Sequence, residues 1–207
     1  MKYLYLFFAF FMLTSCSKDD LGPMGLKHGQ EVEVTVDHRY GAIDERHWLL
    51  PNKEPLEYNI HGFDEREAGY IYKVKATVHL DRSDPPIQDG TSHWLNFTEI
   101  ISKEKYEGNE PFEIGLIQSY IPGGPVIMLA KEAESYFFSS NIQLTFHDAA
   151  IGDQLEEIWQ HNKEIHAAYT IDGNYKEPKW QSITATVTHD PDNFGKAYLV
   201  SHIELTE

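Results

Sequence analysis

Over Tyr70–Leu80 the chain alternates with a period of two. Tyr70, Tyr72, Val74, Ala76, Val78 and Leu80 fall on one side, and Lys73, Lys75, Thr77 and His79 on the other. Successive side chains of a strand point to opposite faces, so this run predicts a long strand with one face in a core and one toward water. Val32, Val34 and Val36 alternate with Glu31, Glu33 and Thr35 in the same way. Pro85, Pro86, Asp89 and Gly90 mark a turn-rich stretch after Leu80, and a further strand is expected over 93–102.

The grammar returns near the C-terminus. Thr184-Ala185-Thr186-Val187-Thr188-His189-Asp190 parallels Lys75-Ala76-Thr77-Val78-His79-Leu80-Asp81, with four of the seven positions identical. Each run is followed by a Pro-containing polar loop and a closing strand, the second over 198–205. This suggests an internal repeat of about 100 residues, with a chance likeness of hairpins as the competing explanation. Between the halves, residues 112–121 and 126–130 flank Pro122-Gly123-Gly124-Pro125, a hairpin or sharp connection. Residues 141–146 read as another strand. Only residues 153–163 read as helical: Leu155, Ile158 and Trp159 have the spacing of one buried face, and Gly152 and Asp153 supply a start signal. The expected fold is mostly all-β, as two small OB-like β-barrel units spanning 30–106 and 107–207, with one short helix in the second.

The N-terminus carries different information. Lys2 is followed by an apolar run over residues 4–13, then Thr14, Ser15 and Cys16. A basic end, a short apolar core and a small-residue cleavage site make a secretory signal peptide over residues 1–15. The core is too short for a bilayer span, which needs about 20 apolar residues. Leu13-Thr14-Ser15-Cys16 is similar to the lipobox of bacterial lipoproteins, in which the cysteine thiol is acylated and the chain is cut just before it. Cys16 is the only cysteine in the chain, so the mature fold has no disulfide and no cysteine metal site. Ser17-Lys18-Asp19-Asp20 resembles the export tag of Bacteroidetes-type lipoproteins, which directs them to the outer face of the outer membrane. Gly22, Pro23, Gly25 and Gly29 suggest a flexible tether over residues 16–29.

The formal charge is −16, and removal of the signal peptide takes away one more positive charge. A field of that sign repels phosphate backbones and disfavours nucleic acid. Twelve Tyr, eleven Phe and four Trp supply ample material for a core.

Residues 60–103 carry a family resemblance. Ile60-His61-Gly62-Phe63, then Glu67, then Gly69-Tyr70-Ile71-Tyr72-Lys73-Val74-Lys75-Ala76 are followed by Asp84-Pro85-Pro86 and Thr98-Glu99-Ile100-Ile101-Ser102-Lys103. This combination resembles domain-of-unknown-function family 4377 over residues from about 30 to 106. The resemblance implies a secreted or lipid-anchored protein and assigns no catalytic residue. The chain departs from the family's pattern in lacking cysteines near its first strand. The second half matches no motif and has only a general likeness to OB-like lipoprotein domains.

Candidate sites are sparse. Asp81, Asp84 and Asp89 share one expected loop, and Asp190, Asp192 and Asn193 share its counterpart; Asp81, Asp84, Asp190 and Asp192 are weak calcium candidates, because the ligand spacing of known calcium loops is missing and acidic residues commonly form turns. Eleven histidines show no metal-binding spacing, including His161 and His166. His147-Asp148 and His189-Asp190 are sequence neighbours with no nucleophile elbow beside them. Tyr120, Ile121, Val126, Phe137 and Phe138 surround the most apolar turn and would form a partner-binding patch if exposed. No cofactor is expected. The favoured reading is a surface-exposed outer-membrane lipoprotein, held by lipid on Cys16, with a non-enzymatic binding or envelope role. Its ligand would be a protein, peptide or glycan. The alternatives are an enzyme acting on envelope or host polymers and a calcium-stabilised structural module.

Overall fold

A computed structural model of the chain describes residues 21–83, 91–120, 124–139, 141–172 and 176–207. The first part forms β1 (Glu31–Val36), β2 (Trp48–Leu49), β3 (Glu54–Pro55), β4 (Ile60–His61), β5 (Tyr70–Leu80) and β6 (His93–Lys105). They make one sheet in the order β3-β2-β1-β5-β6-β4. After a connection over 106–111 come β7 (Phe112–Gly115), the paired strands β8 (Ile117–Tyr120) and β9 (Gly124–Ile127), then β10 (Leu129–Glu132), β11 (Ser135–Phe138) and β12 (Ile142–Thr145). Helix α1 (Ala149–Asp172), β13 (Ser182–His189) and β14 (Ala197–Thr206) complete the chain, and a second sheet runs β10-β11-β12-β14-β13-β7. The protein is all-β with one helix.

The alternation read from the sequence is the burial pattern of both central strands. In β5 the side chains of Tyr72, Val74, Ala76, Val78 and Leu80 are buried; in β13 those of Ile183, Ala185, Val187 and His189 are. Each fully buried aliphatic side chain contributes about 1.5–3 kcal/mol relative to exposure, which holds the register, since a slip by one residue would turn every such group to water.

Both sheets follow one four-strand plan. A first strand lies antiparallel to the central strand (β1 on β5, β7 on β13), and the central strand forms a hairpin with the last (β5–β6, β13–β14). The last strand then lies parallel to an earlier one (β6 with β4, β14 with β12). Closure differs from the expected pair of barrels. Among the described residues no ladder joins β3 to β4, so the first sheet is curled and open. Both of these edge strands are two residues long, and Pro55 in β3 has no N–H to donate. In the second part, Leu116 donates to the Ile183 carbonyl and accepts from the Met128 N–H, each at 2.8 Å, which ties the β8–β9 pair to the sheet.

The helix is twice as long as the sequence suggested. Its start is set by Asp148, whose Oδ1 accepts from the Ala150 N–H at 2.9 Å. Ile151, Leu155, Ile158 and Ile165 make its buried stripe, and Asn162 fills the gap by donating to the Leu129 carbonyl at 3.1 Å. Residues 21–29 also differ from the expected flexible tether. Leu26 is buried in the first core, the Tyr58 hydroxyl donates to the Pro23 carbonyl at 2.8 Å, and Gly29 donates to the Val78 carbonyl at 2.8 Å. One apolar anchor and two specific bonds turn a glycine-rich segment into a packed strap across the end of the first sheet.

The two parts interlock. Ala42 forms an isolated bridge with Ile114, and Ala42 and Ala68 are buried in the second part's core. Gly69 has φ +80°, and a Cβ there would stand 2.6 Å from Phe194 Cζ. Only glycine meets both demands at that crossing.

Candidate functional site

The segment after β1 begins Asp37-His38-Arg39, and these side chains build the junction. Asp37 is buried and accepts from the Arg39 backbone N–H at 3.0 Å and from Arg39 Nη2 at 2.8 Å. Burial alone would raise its carboxyl, but the bonds and charge of Arg39 hold it below the usual range. Arg39 reaches on to Asp44 with paired 2.9 Å bonds from Nη1. Arg66 pairs with Glu45, donates to the Asp37 carbonyl at 2.8 Å, and lies over the Tyr40 ring.

His38 crosses to the second part. Its Nδ1 lies 2.9 Å from His189 Nε2, its ring is stacked on Tyr106 at 3.6 Å, and its Nε2 is 3.8 Å from Asp37 Oδ1. The arrangement that suits the carboxylate puts a proton on His38 Nε2, facing Asp37, so that His38 Nδ1 accepts from His189 Nε2–H. His189 Nδ1 is then a bare lone pair, and it is buried with no hydrogen-bond partner. The rings of Phe112, Phe194 and Tyr198 surround it at 5.3–5.6 Å. Burial, reinforced by the neighbouring His38, pushes His189 down to about 4. Burial likewise lowers His38. Both rings are therefore neutral near pH 7.

In front of His38 a groove of about 560 Å³ opens between the outer face of the first sheet and the 106–111 connection. That lies within the roughly 300–1,000 Å³ of small-molecule sites. Its floor comes from Thr35 and Ile71, outward-facing residues of β1 and β5, and its walls from Trp48 and Tyr106. Thr35 and Trp48 are directly opposed across the β1–β2 ladder, so their side chains share one face. Trp48 is half-buried yet belongs to neither core. Its indole has no hydrogen bond, ring contact or cation contact with a described residue, and the side chains of Thr35 and Lys53 also lack partners among them. At the other end the Tyr106 hydroxyl donates to Glu110 Oε2 at 2.6 Å.

The residues singled out in the sequence lie elsewhere. Asp81 follows β5 and accepts from the Ser83 N–H and hydroxyl. Asp190 is buried and accepts from Thr145 Oγ1 at 2.7 Å and from the Asp192 N–H at 2.9 Å, while Asp192 is exposed. Asp81 and Asp190 follow central strands of different sheets, and Asp89 lies outside the described residues. Among the described residues no three His, Cys, Asp or Glu side chains group as metal ligands. The apolar patch is corrected: Phe138 is 1% exposed in the second core, against Gly41, because neighbours in β11 face opposite ways and Phe137 takes the outer side. Val126 is half-buried in β9 and Tyr120 is the last residue of β8. Cys16, Asp84 and Ile121 lie outside the described residues.

Sequence reading missed Asp37, His38, Trp48, Tyr106 and Glu110, which come from separate segments without a shared spacing. One signal was available: within the repeat, His189 stands where Leu80 stands, a polar group at a core-facing position. Compared with known proteins, no family model matches the chain, and no curated protein and no solved structure matches it.

Proposed function

We propose that this is a surface-exposed outer-membrane lipoprotein, anchored by acylated Cys16, that binds a ligand in the groove in front of His38 without transforming it. The observation that carries the binding half of this reading is Trp48, a half-buried indole outside both cores with its N–H uncommitted in a groove of small-molecule size. The Trp48 N–H is not buried, so it can donate to a molecule in the groove. The resemblance of residues 30–106 to family 4377 of domains of unknown function and the lipobox-like Leu13-Thr14-Ser15-Cys16 support the anchored half.

Geometry supports outward display. Chain length limits the reach from Cys16 to Leu21 to about 17 Å. Gly22 lies against Leu80, at one end of β5, whereas the groove takes Ile71 at the other end. The intervening strand is about 30 Å long at 3.3 Å per residue. A tether of this reach keeps the Leu80 end within about 17 Å of the anchor and allows the groove to stand about 30 Å further out.

His38 would favour an enzyme of envelope polymers, the alternative reading. Its Nδ1 is bonded to His189, its Nε2 stands 3.8 Å from the Asp37 carboxylate, and the lone pair on His189 Nδ1 is buried. A general base must reach the proton it takes, so this arrangement supports binding over proton transfer. The calcium-stabilised module loses support because the Asp190 oxygens already serve its own turn and Thr145.

Replacing Cys16 by Ser is expected to abolish fatty-acid labelling and leave the precursor uncut; labelling that persists would overturn the anchor. For the groove, size-fractionated envelope extract should raise the melting temperature of the chain and not that of Thr35→Trp, which fills the floor. If no fraction stabilises the chain, the binding reading fails.

A further inference from the structure

The groove's lining says more about its occupant than that it is small. We infer that it takes a neutral carbohydrate, one or a few sugar rings of an uncharged glycan, with a ring face laid on Trp48. This rests on the reading of the groove as a binding site.

Charge comes first. Arg39 and Lys53 face Asp37 and Glu110 across the lining, while His38 is neutral, so the formal charges cancel. A site for a phosphate or carboxylate ligand would carry a surplus of cations, and Arg39 is already saturated by Asp37 and Asp44. Hydrogen bonding comes second. The unpartnered indole N–H of Trp48, the Lys53 ammonium and the Thr35 hydroxyl can donate, and Thr35 and the exposed Glu110 carboxylate can accept. An occupant that both donates and accepts around its rim, and is apolar on its faces, matches that mixture. A sugar ring has this character: hydroxyls lie around its edge and C–H groups cover its face, which suits the π-cloud of an indole.

The floor argues against a peptide. Thr35 and Trp48 are partners in one ladder, and Ile71 lies in β5 beside β6. The groove therefore opens on a sheet face whose backbone groups are spent on neighbouring strands. A peptide strand draws its affinity from main-chain bonds at a sheet edge, and this groove leaves only side chains to recognise its ligand.

The full chain in detergent would be tested on an array of neutral oligosaccharides, with hits titrated by calorimetry alongside phenylacetate and trialanine. A neutral glycan should bind, with affinity reduced about tenfold or more by Trp48→Ala and unchanged by Trp94→Ala in β6, which pairs with His79 near the far end of β5. Trp48 belongs to neither core, and Lys53→Met provides a second lesion at an exposed residue. If phenylacetate or the peptide binds in a Trp48-dependent way and no glycan does, the carbohydrate class is overturned while the groove stands. If no probe's binding responds to Trp48→Ala or to Lys53→Met, the groove falls as well.

Discussion

The β5–β6 and β13–β14 hairpins occupy the same place in the two sheets, and their central strands are alike through Ala76 and Ala185, then Val78 and Val187. They part at the next inward position. The first puts Leu80 there, under a strap made by residues 21–29 and against Tyr58 and Gly22. The second puts His189 there, bonded to His38 and enclosed by Phe112, Phe194 and Tyr198. One closes a core with hydrocarbon, and the other closes it with a polar bond to the neighbouring part. A repeated framework thus has an adaptable end. Apolar contact is enough where the chain covers itself, whereas a directional bond fixes how two separately built sheets meet.

The most severe way to break this comparison is to exchange the two solutions. Leu80→His should lower stability by about 4 kcal/mol, combining lost apolar burial with the desolvation of an imidazole beneath the strap. Urea unfolding at pH 7 would measure it. A loss under about 1 kcal/mol would mean that the first end is as tolerant of polar groups as the second, and the contrast would collapse. The reverse exchange, His189→Leu, should cost far less, because neighbouring aromatics accept an apolar side chain and His38 keeps an edge toward solvent.

That asymmetry explains what the sequence made legible. Strands came through wherever one face meets a core and the other water, as in β1, β5 and β13, because burial writes itself as period two. The helix was read short because Asn162, which does its work by hydrogen bonding to Leu129, looks like a surface residue and interrupts the apolar spacing between Ile158 and Ile165. The strap was read as tether because Gly22, Pro23, Gly25 and Gly29 outweigh its scattered apolar residues in any local count. The groove left no trace at all. Trp48, Tyr106 and Glu110 meet only after both sheets have formed, and an outward Trp reads like a core residue until its neighbours are known.

Acid sharpens the same contrast. Burial keeps His189 neutral down to about pH 4, while in the unfolded chain it takes up a proton below about 6.5. The unfolded state therefore binds more protons between those values, and stability must fall as pH drops from 6.5 toward 4. The expected loss from this group is on the order of 3 kcal/mol, and the lowered His38 and His47 add to it in the same direction. His189→Leu should make the profile shallower without flattening it. Melting curves from pH 7.5 to 4 would show this; identical slopes for the two proteins would mean that His189 titrates as though exposed.

The smallest effect tests the residue after the divergent one, where both repeats carry Asp. Asp190 ties its turn to β12 through Thr145 and lies buried; burial would raise its carboxyl, but bonds from Thr145, Asp192 and Asn193 hold it low. Asp81 shares the turn-forming bond to the residue two positions on, yet its bonds to Ser83 lie in an exposed turn. Asp190→Ala should cost about 1–2 kcal/mol at pH 7 and Asp81→Ala about 0.5 or less. Because Asp190 is depressed, its share is present above about pH 4 and is lost only as pH falls below that, after the His189 contribution has gone. Equal costs at the two positions would show that the shared Asp serves the turn alone, and that the second sheet gains nothing from the bond to Thr145.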